Sequence, residues 1–219
     1  EENLEIWKDT GSVGEQGTIS ITDGGGAAGD YSTLWFKHWH ATPGSVRKAG
    51  IAHIKTGDYG VGDLVFINDS ANDQNDATLA ANEVMRIDSA GNVGIGTASV
   101  DEILHLESSV SAKPVLKIEN TNDDATAPIL EFNKNPATDN TNNDAVGQID
   151  FIRQNDGGDE KTWAQITAYA TDVGAEYGQL RIGVKTAGGS PTNIMTIGGT
   201  SAGNVGIGVV PSGAPEGKL

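Results

Sequence analysis

Gly91-Asn92-Val93-Gly94-Ile95-Gly96 returns unchanged as Gly203-Asn204-Val205-Gly206-Ile207-Gly208, an offset of 203 − 91 = 112 residues. Leu4-Glu5-Ile6 and Leu116-Lys117-Ile118 stand at the same offset, 116 − 4 = 112. A spacing recovered at both ends of a unit marks a duplication, so the chain reads as two copies of one module. The interior aligns as well. Leu34-Trp35-Phe36 matches Ile149-Asp150-Phe151, and Ile51-Ala52-His53-Ile54 matches Ile166-Thr167-Ala168-Tyr169, both at 115. Leu64-Val65-Phe66 matches Leu180-Arg181-Ile182 at 116, and Val84-Met85-Arg86-Ile87 matches Ile194-Met195-Thr196-Ile197 at 110. The offset changes in stretches rich in Gly, Asn and Asp, such as 68–82 against 185–193. Insertions tolerated there and not in the apolar runs mark those stretches as surface loops.

The hexapeptide has a period of two: Val93 and Ile95 point to one side of a strand, while Gly94 and Gly96 leave the other side bare. The same alternation runs through Leu4/Ile6, Ile19/Ile21, Leu34/Phe36, Leu64/Phe66, Met85/Ile87 and Leu104/Leu106. Such runs, bounded by Gly, Asn, Asp and Pro, predict half-buried strands, about eight to ten per module. Helical signals are poor; residues 73–85 offer one or two turns at most. The expected fold is all-β: a β-rich module over 1–111 and a second over 112–219, each a sandwich- or prism-like strand meander. The second module stops at Lys218-Leu219 where the first continues into Leu104-His105-Leu106, and the chain opens on Glu1 without Met. It therefore reads as a segment of a longer polypeptide, truncated in its second copy.

Composition narrows the partners. With 37% apolar and 5% aromatic residues the chain builds only a thin core, which repeated modules complete against a neighbour. A bare strand side next to an apolar one suits a crowded axis where three chains meet. Val93, Gly94, Ile95, Gly96, Val205, Gly206, Ile207 and Gly208 are the expected axis-packing residues, with an ordinary bulged strand inside a monomer as the alternative. The formal net charge of −16 disfavours nucleic acid and anionic membrane surfaces. No run of 18 apolar residues predicts membrane insertion. With 0 cysteines, disulfides, thiol catalysis and Cys-bound metal are out of reach.

The densest chemical cluster is Trp35-Phe36-Lys37-His38-Trp39-His40. Trp35 and Trp39 share one strand side and would either serve as a stacking platform for sugar rings of a receptor or be covered by a neighbouring chain or module. His38 and His40 share the other side; around a threefold axis they would offer six imidazoles to a transition metal, against the alternative of a packed histidine pair. The acidic stretches 69–76, 120–124, 139–144 and 156–159 lack the spacing of a calcium loop and read as turns. Gly91 to Gly96 is G-x-x-G-x-G without a following helix, not a dinucleotide fingerprint. No G-x-S-x-G is present, and no carboxylate pair stands out for glycan cleavage. The chain reads as a non-enzyme without cofactor.

The combination (I/V)-M-x-I, short polar turn, G-N-V-G-I-G-T and K-L-H-V resembles modules of bacteriophage tail fibres and tailspikes, often found ahead of a self-cleaving intramolecular chaperone. Here it reads Val84-Met85-Arg86-Ile87, Gly91 to Thr97, then Ile103-Leu104-His105-Leu106; the second copy reads Ile194-Met195-Thr196-Ile197, Gly203 to Val209, then Lys218-Leu219. The resemblance implies an intertwined homotrimeric fibre on the virion, partnered by other fibre or baseplate proteins and acting in host attachment, with a host surface glycan as candidate receptor. The chaperone domain is absent from these residues, so its protease activity is not carried over. A carbohydrate-active tailspike segment and an extracellular cellular filament or adhesin are the alternatives.

Overall fold

The structure, a computed structural model, describes residues 21, 26–38, 46–136, 142–186, 189–198 and 205–208. It is all-β, as the alternation predicts, and its strands form two sheets. By compactness the chain divides into Glu1–Lys117 and Ile118–Leu219, a few residues beyond the boundary expected at 111.

The first sheet has the order β1 (Tyr31–His38), β2 (Val46–Lys55), β3 (Gly62–Asn68), β4 (Glu83–Ile87), β5 (Val93–Ile95) and β6 (Leu104–Leu106). Neighbours are antiparallel up to β5, which pairs parallel with β6. The second sheet has the order β7 (Asp144–Gln154), β8 (Glu160–Asp172), β9 (Tyr177–Lys185), β10 (Pro191–Gly198) and β11 (Val205–Ile207), antiparallel throughout. Among the described residues each unit thus holds fewer strands than the eight to ten expected. The strand expected at Leu4/Ile6 lies outside the described residues, while Leu116 and Ile118 are described and form no strand. Their backbone has no ladder partner among the described residues.

Register decides which side chains stand together, because directly paired residues share a face. Leu34, Ile51, Phe66, Met85, Ile95 and Leu106 form one row across the first sheet. Ile149, Ile166, Ile182, Met195 and Ile207 form one across the second. Position for position these rows are related by 115, 115, 116, 110 and 112, the offsets at which the sequence repeats.

The polar turn ahead of the repeated hexapeptide fixes that register in the first unit. The Asp88 carboxylate accepts from the Ala90 and Asn92 amides, both at 2.9 Å, and from the Asn92 side chain at 3.0 Å. The Asn92 amide leads the causes that pull the Asp88 carboxyl below its ordinary value. Gly91 takes φ +90°, a conformation that L side chains resist. Together these reverse the chain tightly enough for Met85 to meet Ile95.

The first unit has a core on the reverse side of its apolar row: Ala52, Val65, Ile67 and Ala77 are buried, with Trp35, Ile54 and Leu79 packed against them. Ala77 and Leu79 come from the loop 69–82, which folds over the sheet and contains one helical turn, α1 (Leu79–Asn82). Thr78 caps that turn by accepting from the Ala81 amide at 3.3 Å. The loop is tied down by Lys48, whose Nζ donates to Asp69 at 2.7 Å and Asp73 at 2.6 Å. The Ala77 amide also donates to the Arg47 carbonyl at 2.8 Å.

Candidate functional site

The surface that distinguishes this chain is the apolar row itself. In the first unit Leu34 is 48% exposed and Phe36 50%; in the second Ile149 is 42%, Phe151 52% and Ile207 64%. Leu64 and Ile95 in the first sheet, and Leu180 and Val184 in the second, are exposed as well. Apolar side chains normally fill the core side of a strand, yet here the same side of both sheets is left open.

The axis-packing residues divide by face. Val93 and Ile95 lie on the open face of the first sheet, Val205 and Ile207 on that of the second. The glycines answer to intrachain packing in the first unit. A Cβ on Gly94 would stand 2.6 Å from Val100 Cγ2 and 3.0 Å from the Thr97 carbonyl oxygen, because the crossover from β5 to β6 passes over that bare side. Gly96 has φ +79°, and a Cβ there would overlap the Glu107 carbonyl oxygen. The bare side is filled from within the chain, which is the close approach that strand glycine permits. Gly208 shares the positive φ, at +73°, in open space; Gly206 pairs with Thr196 in the β10–β11 ladder.

Trp35 lies on the reverse face, packed against the Ala52–Val65–Ile67–Ala77 core. Its ring edge would come 2.8 Å from a Cβ on Gly50, so the missing side chain makes room for the indole. The Arg47 guanidinium sits 4.6 Å from the ring centroid, a cation–π contact that covers it further. This packing comes from its own unit. Trp39 and His40 lie outside the described residues. His38 closes β1 opposite Val46, and its side chain also lies outside them. Among the described residues no group of three His, Asp or Glu is placed to hold a metal ion.

Among the exposed aromatics outside the sequence motifs, two have distinctive settings. Trp163 is half-exposed with its indole N–H donating to the Arg153 carbonyl at 2.9 Å. Tyr59, fully exposed at the tip of the β2–β3 connection, adopts φ +55°, a conformation bulky residues rarely take. Neither sits in a dense motif, so residue clustering could not find them.

A cleft of about 570 Å³ opens on the reverse side of the first sheet, with Tyr31, Ile54, Leu79, Glu83, Arg86 and Thr97 in its lining. Its charges are already matched. Glu83 accepts from Arg86 Nε and Nη2, both at 2.8 Å, and Asp63 accepts from Nη1 at 2.6 Å. The Glu83 hydrogen bond leads the causes that raise the Arg86 pKa. In the acidic stretch 69–76, Lys48 fills the place a cation would take, and its hydrogen bonds lead the causes that hold Asp69 and Asp73 below the ordinary carboxylate value.

No protein-family model matches the chain, and no curated protein matches it in sequence. Among solved structures it is similar to the carboxy-terminal domain of the bacteriophage T5 L-shaped tail fibre, with a TM-score of 0.63 and 11% identity. The match covers 100% of this chain and 93% of that domain. At that identity the likeness is one of fold.

Proposed function

We propose that this chain is a shaft or arm segment of a homotrimeric bacteriophage fibre, carried on the virion and acting in host attachment. The observation that carries the proposal is the apolar row left open on the same face of both sheets. Three copies turning these faces inward would bury Leu34, Phe36, Ile149, Phe151 and Ile207 around a common axis, with Val93 and Ile95, Val205 and Ile207 at its centre. The fold likeness to a tail-fibre domain supports the choice of a fibre over other trimers. The mechanism is mechanical and multivalent: a stiff rod transmits load to neighbouring fibre or baseplate proteins, and threefold display multiplies weak contacts with a host surface glycan.

Light scattering on the intact chain tests the assembly, with three chains per particle expected. A folded monomer at micromolar concentration overturns the proposal. Antibody labelling of particles under the electron microscope tests the location, since the label should decorate a fibre.

A further inference from the structure

Turning the apolar row toward an axis would leave the reverse side of the first sheet, with its cleft of about 570 Å³, facing outward. That volume falls within the roughly 300–1,000 Å³ of small-molecule sites. All of its lining belongs to the first unit. Three stretches far apart in sequence converge on it: Tyr31 at the start of β1, Leu79 in α1, and Thr97 just beyond β5.

Glu83 and Arg86 bring opposite charges into the same lining, their side chains 15% and 17% exposed. The bonds to Glu83 and Asp63 engage three of the five guanidinium N–H groups. Each Glu83 oxygen accepts one of those bonds and has the capacity for another. The bidentate fork holds donors and acceptors side by side in a fixed plane. Two neighbouring hydroxyls match such an edge, one donating to Glu83 and the other accepting from Arg86. Two carboxylates against one guanidinium leave the surroundings net negative, and the chain carries −16, so an anionic ligand is repelled. Tyr31, 48% exposed, adds a flat apolar ring to the lining. A neutral sugar combines what these groups accept: C–H groups on its faces and hydroxyls around its edge. The charged pair is specific to this unit. At 193 − 83 = 110 and 196 − 86 = 110 the second module has Asn193 and Thr196, so the shared strand scaffold forms without it.

We propose that this cleft is a saccharide site that takes a neutral sugar unit of a host surface glycan, its ring against Tyr31 and two adjacent hydroxyls on Glu83 and Arg86. The assignment rests on the host-attachment reading and gives it an address in the chain. It does not depend on the number of copies, because the cleft lies on the side opposite the apolar row.

An array of bacterial surface polysaccharides with neutral and acidic repeat units, probed with the intact protein, tests the site. Polysaccharides built of neutral sugars should be retained and those rich in acidic sugars should not. Tyr31→Ala and Glu83→Gln should each weaken retention about tenfold or more, with light scattering and thermal unfolding unchanged. Should Glu83→Gln not fold, Tyr31→Ala decides, since its half-exposed ring contributes less to packing. Retention undiminished in Tyr31→Ala rejects the cleft and leaves the glycan-receptor reading in place. Binding confined to acidic polysaccharides also rejects the cleft alone. No retention of any polysaccharide by the unsubstituted protein rejects the cleft and the glycan receptor together, while the trimer is read independently by light scattering.

Discussion

Behind the apolar row of the first unit stand Ala52, Val65 and Ile67, closed over by the loop 69–82. At the matching register the second unit has Thr167, Arg181 and Gly183, and β9 passes to β10 through residues 186–190 alone. The difference is coordinated. Under the loop, apolar side chains fill that face of the first unit; in the second the face carries the buried Thr167 and Thr196, with Gln148 and an Arg181 lying 4.0 Å over the Tyr169 ring. The opposite face did not diverge. Both units keep the same apolar row, exposed to the same degree at Phe36 and Phe151. On the trimeric reading, a second and third copy would cover it alike in both units.

Exchanging the reverse faces is the harshest way to break this comparison. Val65→Arg puts into the first unit the residue that the second holds there. Val65 is 0% exposed beneath a loop with no room for a cation, so an unpaired buried charge should cost about 4 kcal/mol or more. Arg181→Val removes a cation–π contact and hydrogen bonds to Gln179 at 2.9 and 3.0 Å, and should cost about 1 kcal/mol or less. Urea unfolding of the full chain measures both. Equal costs would mean that the loop, despite its contacts, does not make a core.

The two copies of the hexapeptide supply a smaller asymmetry. Gly96→Ala should cost about 3 kcal/mol, the sum of left-handed strain and overlap with the Glu107 carbonyl. Gly208→Ala meets the same strain in open space and should cost about 1 kcal/mol. Thermal unfolding that ranks them the other way would show that the two glycines do not have equivalent roles.

On the shared face the expectation is symmetry. Phe36→Glu and Phe151→Glu should each weaken assembly by about 2 kcal/mol or more, with similar size and little effect on unfolding of the separated chain. Dissociation followed by light scattering against concentration reads this. An effect from one phenylalanine and none from the other would remove the case for a common axis.

Much of this was legible in the residues. Alternation at Leu34/Phe36 and Val93/Ile95 placed strands, and the offsets 115, 116, 110 and 112 gave a register that pairing reproduces row by row. The change of offset at 68–82 marked the loop correctly. That the loop forms a lid was not visible, because Ala77 and Leu79 read as ordinary small and apolar residues until Val65 lies beneath them. Gly94 is open to two readings for a related reason. A bare strand side signals close approach, and nothing local says whether the approaching backbone is another chain or, as found, Thr97 and Val100 of the same one. For Trp35 the dense aromatic stretch suggests a binding platform, while only the pairing with Gly50 reveals the packed bed under the indole.

The mildest test separates the lid from the sheet by acid. Lys48 holds Asp69 and Asp73 below the ordinary carboxylate value of 3.8, and its own pKa is raised above 10.5, with the Asp69 hydrogen bond the largest cause for Lys48. For carboxylates depressed in the folded state, the stabilisation is complete above their unfolded pKa and is lost as pH falls through the folded one. For the raised lysine it is complete below the unfolded value and lost as pH climbs past the folded one. The clamp is thus whole from about pH 4 to pH 10 and loosens on the acid side first under any ordinary assay. Amide exchange corrected for intrinsic rate should show the Asp69 and Ala77 amides, bonded to the Lys48 and Arg47 carbonyls at 2.7 and 2.8 Å, losing protection between pH 6 and pH 3. The β9–β10 ladder, whose connection 186–190 carries no carboxylate, should change less. Lys48→Met should produce the loose lid already at pH 6 and abolish the difference between the two pH values. An acid response of equal size in both units, surviving Lys48→Met, would assign it to the sheets and leave the clamp without a role.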